Sequence, residues 1–157
     1  MLRKSNKTSV VITLVISVLL LAALCVLVFW LPMVVESMIR VPDNIGNRAE
    51  ITDLQHALVL TDAYAMLAGA VLAVILSIFL LREVMLERVF SVRATYLIGA
   101  ISWCCFAEGL LFLLLGTVFQ LAVGAAVAAC FVGFCLRVVK NVIEEATRIK
   151  SENDFTI

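Results

Sequence analysis

The chain has 157 residues, 64% of them hydrophobic and 15% charged, and its 12 Lys and Arg balance 12 Asp and Glu to a formal net charge of zero. A mean hydropathy of +1.13 leaves far more apolar surface than a domain of this length can hide from water, which excludes an ordinary soluble globular protein. The balanced charge also provides no basic face for binding nucleic acid directly.

The first apolar stretch runs from about Val10 to Val35 and follows Arg3, Lys4 and Lys7. A removable secretory signal has an apolar core of about 7 to 15 residues followed by a small-residue cleavage site. Here the run is longer and ends in Phe29, Trp30, Leu31 and Pro32, so it reads as a retained first helix. The loop that follows carries Arg40 and Arg48 against Glu36, Asp43, Glu50 and Asp53. Within it V-P-D-N-I-G-N at 41–47 marks a turn, and from Ala49 to Leu60 a helical pattern resumes toward the second stretch.

The second stretch spans about 61–81, the third 96–115 and the fourth 118–139. Each of the four reaches the roughly 20 residues that a helix needs to cross a hydrocarbon core of about 30 Å. Backbone amides cannot be left unpaired in lipid, so segments this long are predicted to be helices, whereas a barrel would show alternating strands of about ten residues. Arg82, Arg88 and Arg93 separate the second and third stretches, and Arg137, Lys140, Arg148 and Lys150 surround the end of the fourth; the connection at Gly116 and Thr117 has no basic residue. The positive-inside rule then puts both termini in the cytoplasm. Trp30 and Tyr64 fall at the outer boundary and Tyr96 at the inner one, where amphipathic rings favour the headgroups. The expectation is an all-α, integral membrane four-helix bundle in the cell membrane, a single domain over residues 1–157 with a cytoplasmic helical tail at 140–157.

Small residues recur every four positions on the second span, at Ala65, Gly69, Ala73 and Ser77, and on the fourth, at Ala125, Ala129 and Gly133. Such stripes let helices approach closely, either within one bundle or between copies in a homo-oligomer. Cys25, Cys104, Cys105, Cys130 and Cys135 all lie inside apolar spans, without the loop placement of a disulfide scaffold or a C-x-x-C pair, and read as small packing residues.

Glu108 lies roughly 12 Å inward from Gly116 at 1.5 Å per residue, where an ionised carboxylate costs several kcal/mol unless paired, protonated or hydrated. Gln120, Asp62 and His56 fall at similar or shallower depth and with it form a candidate intramembrane polar cluster. Two roles stay open for Glu108: a protonatable carrier site, or a neutral acid hydrogen-bonded to Gln120 or a backbone carbonyl. With one histidine in the chain, Asp53, His56 and Asp62 suit capping and interface roles better than metal ligation. No phosphate-binding glycine loop and no nucleophile with a base is present, so neither an enzyme nor a cofactor is expected.

In the tail, Val139, Val142, Ile143, Ala146 and Ile149 continue an apolar stripe at helical spacing, and Lys140 with Glu144 and Glu144 with Arg148 stand at i,i+4. The stripe can lie on the membrane, pack under the bundle or receive a partner. The ending V-I-E-E-A-T-R-I-K-S-E-N-D-F-T-I at 142–157 resembles that of a bacterial four-span membrane family called domain of unknown function 2975, with Glu145, Ala146, Ile149, Lys150, Glu152, Asn153, Asp154, Thr156 and Ile157 carrying the match. The loop between the first two spans is longer than that family leads one to expect. The resemblance implies a membrane protein without a known activity, organised like those encoded beside a small cytoplasmic helix-turn-helix regulator.

Two functions follow as expectations. In one, the chain is a membrane-bound interaction partner of a small cytoplasmic protein. Its docking element is Glu145 to Ile157, with apolar contacts from Ile149, Phe155 and Ile157 and orientation from Glu152, Asn153 and Asp154. In the other, it is a small oligomeric proton-coupled transporter or channel that uses Glu108.

Overall fold

The structure, a computed structural model, describes residues 4–39, 52–86 and 90–154. These residues form four helices: α1 (Lys4–Ile39), α2 (Asp53–Met85), α3 (Val92–Leu115) and α4 (Leu121–Asp154). All four are long and apolar enough to cross a membrane. The turn read at 41–47, with Arg40, Asp43, Arg48 and Glu50, lies outside the described residues, as does Arg88.

Local chemistry explains where the helices start. Thr52 caps α2 in a reciprocal box: its hydroxyl accepts from the Gln55 amide at 3.4 Å, and its own amide donates to Gln55 Oε1 at 3.0 Å. Ser91 caps α3 by accepting from the Ala94 amide at 3.2 Å. Both helices therefore begin ahead of the apolar stretches at 61 and 96. In contrast, α4 begins only at Leu121, after the predicted start at 118, because the chain spends residues 116–120 on reversing direction. That turn is held by Thr117 N–H donating to Leu114 O at 3.1 Å and Ala122 N–H to Phe119 O at 2.9 Å. Gly116 suits it, since a Cβ there would sit 2.7 Å from Val123 Cγ2 on the returning helix. Along α1, Pro32 lies within the helix, although its ring nitrogen has no proton to give the preceding turn. Hydroxyls inside the apolar runs bond their own helix, Thr13 to Ser9 O at 3.0 Å and Ser17 to Thr13 O at 2.8 Å, so neither is left unpaired on an apolar helix.

Packing follows chain order: α1 lies on α2, α2 on α3 and α3 on α4, and among the described residues no other pair of helices approaches. The bundle is thus an open up-and-down row that sets the start of α1 and the end of α4 at the same end. Toward the other end, Leu31 and Val35 of α1 bury against Val59 and Leu67 of α2, with Leu115, Val118 and Phe119 packed around them. Large side chains such as Phe29 (84% exposed) and Leu121 (92%) point outward. An apolar exterior of this extent suits a lipid solvent.

Candidate functional site

The deep carboxylate organises the α2–α3 seam. Glu108 on α3 lies over Gly69 on α2 so closely that a Cβ at Gly69 would overlap Glu108 Oε1 and stand 3.2 Å from its Cδ. Glycine leaves room for the carboxyl in this position. Asp62 is two helical turns from Gly69 on the same helix. Asp62 Oδ2 and Glu108 Oε1 are both buried and have no hydrogen-bond partner. Between α2 and α3, toward the 116–120 turn, opens a cleft of about 580 Å³ with Asp62, Gln55 and Thr61 on its wall among Ala65, Leu111, Leu115 and Val118.

Of the four residues read as a polar cluster, Asp62 lines the cleft and Glu108 lies over Gly69 in the same seam. His56 and Gln120 are exposed and line no part of the cleft. The partner foreseen for Glu108, Gln120 or a backbone carbonyl, is not bonded to its Oε1. Among the described residues no three His, Cys, Asp or Glu side chains gather as metal ligands would.

The α3–α4 seam is tighter. Ser102 is fully buried and donates to the Gly133 carbonyl at 2.9 Å. A Cβ on Gly133 would lie 3.0 Å from the Phe106 ring, and one on Gly109 2.7 Å from Cys130 Sγ. Phe106 packs edge-on against Trp103 and Phe134 with centroids 6.0 and 5.0 Å away. Of the small residues read from the sequence, Gly69, Ala73, Ser77, Ala125 and Ala129 are half-buried, Gly133 is buried and Ala65 is exposed on the cleft wall. Ala122 and Ala126, absent from that stripe, are buried.

At the opposite end, the buried carboxylate of Glu83 pairs with the exposed Arg93 guanidinium at 3.4 Å. The Arg137 guanidinium stands 4.8 Å over the Trp103 ring. Neither pair was foreseen, although Trp103 and Arg137 sit at facing positions once α3 and α4 are known to be antiparallel.

Beyond residue 139, α4 continues as an unbroken helix. Lys140 lays its stem along Gly99 and reaches Glu144 at 2.8 Å, the pair foreseen. Arg148 is held by Glu145 at 2.6 Å and Glu152 at 3.3 Å, in place of the expected Glu144. The hydrogen bond from Arg148, aided by its charge, holds the Glu145 carboxyl below its ordinary value. Val142 (63%) and Ile149 (50%) are exposed while Ile143 and Ala146 are half-buried. Lys150 is exposed too. For Asn153 and Asp154 only the helical backbone is described, and Phe155, Thr156 and Ile157 lie outside the described residues.

No family model, no curated protein and no solved structure matches the chain.

Proposed function

We propose that the chain is a multi-pass protein of the cell membrane that works as a docking partner for a small cytoplasmic protein, and that its fourth helix is the docking element. The observation that carries this reading is the continuity of α4 from Leu121 to Asp154. If its apolar span ends near residue 139, the rest of the helix extends roughly 22 Å further at 1.5 Å per residue. That extension presents Val142 and Ile149 to its surroundings, and its charged side chains are organised into pairs along the helix rather than into a polybasic lipid anchor. A rigid helix with exposed apolar anchors and a pre-ordered charged face is suited to receiving a groove or a second helix. The positive charge of Arg82, Arg93, Arg137, Lys140, Arg148 and Lys150 at the terminal end of the row supports a cytoplasmic position for that end. The resemblance of residues 142–157 to domain of unknown function 2975 agrees in pointing to a small helix-turn-helix regulator as the partner class. Recovery of partners from detergent-solubilised cells with the full chain and with a version ending at Val139, which lacks the extension, tests this. A soluble protein recovered only with the full chain supports docking, and equal recovery with both defeats it.

A second reading is favoured by the unbonded oxygens of Asp62 and Glu108: an oligomeric proton-coupled transporter or channel in which Glu108 titrates. The open row encloses no pathway of its own among the described residues, so this reading requires several copies. It predicts that Glu108→Gln abolishes proton-coupled flux while loss of the tail leaves flux intact.

A further inference from the structure

The cleft between α2 and α3 has more chemistry than a packing defect. Its volume of about 580 Å³ falls within the range of pockets that hold small organic ligands, about 300–1,000 Å³. Its wall is mostly apolar, with Leu58, Leu111, Leu114 and Val118, and among the described residues Asp62 is the one ionisable group on it. Asp62 Oδ2 is buried without a hydrogen bond, and so is Glu108 Oε1, outside the cleft in the same seam. Among the described residues neither acid has a cationic partner: the ion pairs there join Glu83 to Arg93, Glu144 to Lys140, and Glu145 and Glu152 to Arg148. An acid withdrawn from water is paired, protonated or hydrated, and among the described residues no side-chain cation pairs with Asp62.

The complementary ligand has a positive charge and an apolar body. A bare inorganic cation does not fit, because calcium or magnesium demands six or more oxygen ligands and this wall is largely hydrocarbon. We propose that the α2–α3 cleft is a binding site for a small lipophilic organic cation, with Asp62 as its counter-ion and Leu58, Leu111 and Val118 enclosing its body. This site depends on neither the tail nor flux, so its failure and the failure of docking are read separately.

The test uses the full chain in an uncharged maltoside detergent and measures equilibrium binding of tetraphenylphosphonium, with tetraphenylborate as a probe of the same shape and opposite charge. Binding of the cation should saturate at one site per cleft, and the anion should show only linear partition into micelles. Asp62→Asn should weaken cation binding by about tenfold or more, as expected when an under-solvated charge loses its counter-ion. Ala65→Phe keeps both acids, fills the cleft from an exposed wall position and should abolish saturation, which keeps the test decisive if Asp62→Asn fails to fold. A chain ending at Ile149 should bind as the full chain does. Linear partition of both probes, or saturable cation binding that survives either substitution in folded protein, would overturn the proposal.

Discussion

At Gly69 the Glu108 carboxyl of α3 occupies the space where a Cβ on α2 would stand. The atom a Cβ would strike is the far end of the Glu108 side chain, which can swing aside, so Gly69→Ala should be tolerated. A leucine cannot be cleared that way. Gly69→Leu should destabilise the fold by about 1–3 kcal/mol in a reversible detergent-unfolding assay, the usual range for overpacking, and Glu108→Ala in the same chain should restore part of the loss. At the exposed end, Arg148 keeps the Glu145 carboxyl below its ordinary value, chiefly through a hydrogen bond. Because the folded value is the lower one, the pair stabilises the helix above the ordinary carboxylate range, and its contribution disappears as pH falls through the folded value. Replacing Arg148 by Gln should therefore raise the Glu145 titration midpoint, which a carboxyl-resolved NMR titration would detect. Glu108 was legible as an oddity from its depth alone, but its contact with Gly69 was not. Rise per residue gives depth along a helix, whereas the direction a side chain takes around the axis depends on how neighbouring helices are rotated. That is why His56 and Gln120, placed near Asp62 and Glu108 by depth, stand apart from the cleft.

The helices themselves were legible because an apolar run of this length has few other solutions, and their ends were less so. The box of Thr52 with Gln55 and the Ser91 cap are signals of ordinary capping chemistry that lengthen α2 and α3 beyond their apolar runs. The α4 seam shows a different limit. A stripe repeated every four residues, as at Ala125, Ala129 and Gly133, drifts by about 40° per step around a helix of 3.6 residues per turn. A helix packed along its whole length alternates steps of four and three instead, so Ala122 and Ala126 enter the seam with Gly133. Two glycines of α4 separate packing from composition. Gly133→Leu drives into the Phe106 ring and should cost about 1–3 kcal/mol, whereas Gly124, whose Cβ would meet nothing within 4 Å, should accept leucine without measurable loss. Ser102→Ala, which removes the bond to the Gly133 carbonyl, should lower stability by about 0.6 kcal/mol, the average for polar contacts between membrane helices.

For the molecule as a whole, composition and the spacing of basic residues agree with the open row of helices and with its two terminal ends lying together. The proposed docking tail requires that end to be cytoplasmic, so this orientation is the central claim to test. Site-directed labelling in intact and permeabilised cells tests it most directly, using a cysteine-free chain with one new cysteine at Thr117 or at Lys150 and a membrane-impermeant maleimide. The account predicts that the cysteine at 117 is labelled in intact cells and the one at 150 only after permeabilisation. Labelling at 150 in intact cells, with 117 protected until the membrane is opened, would place the α4 extension outside and contradict cytoplasmic docking.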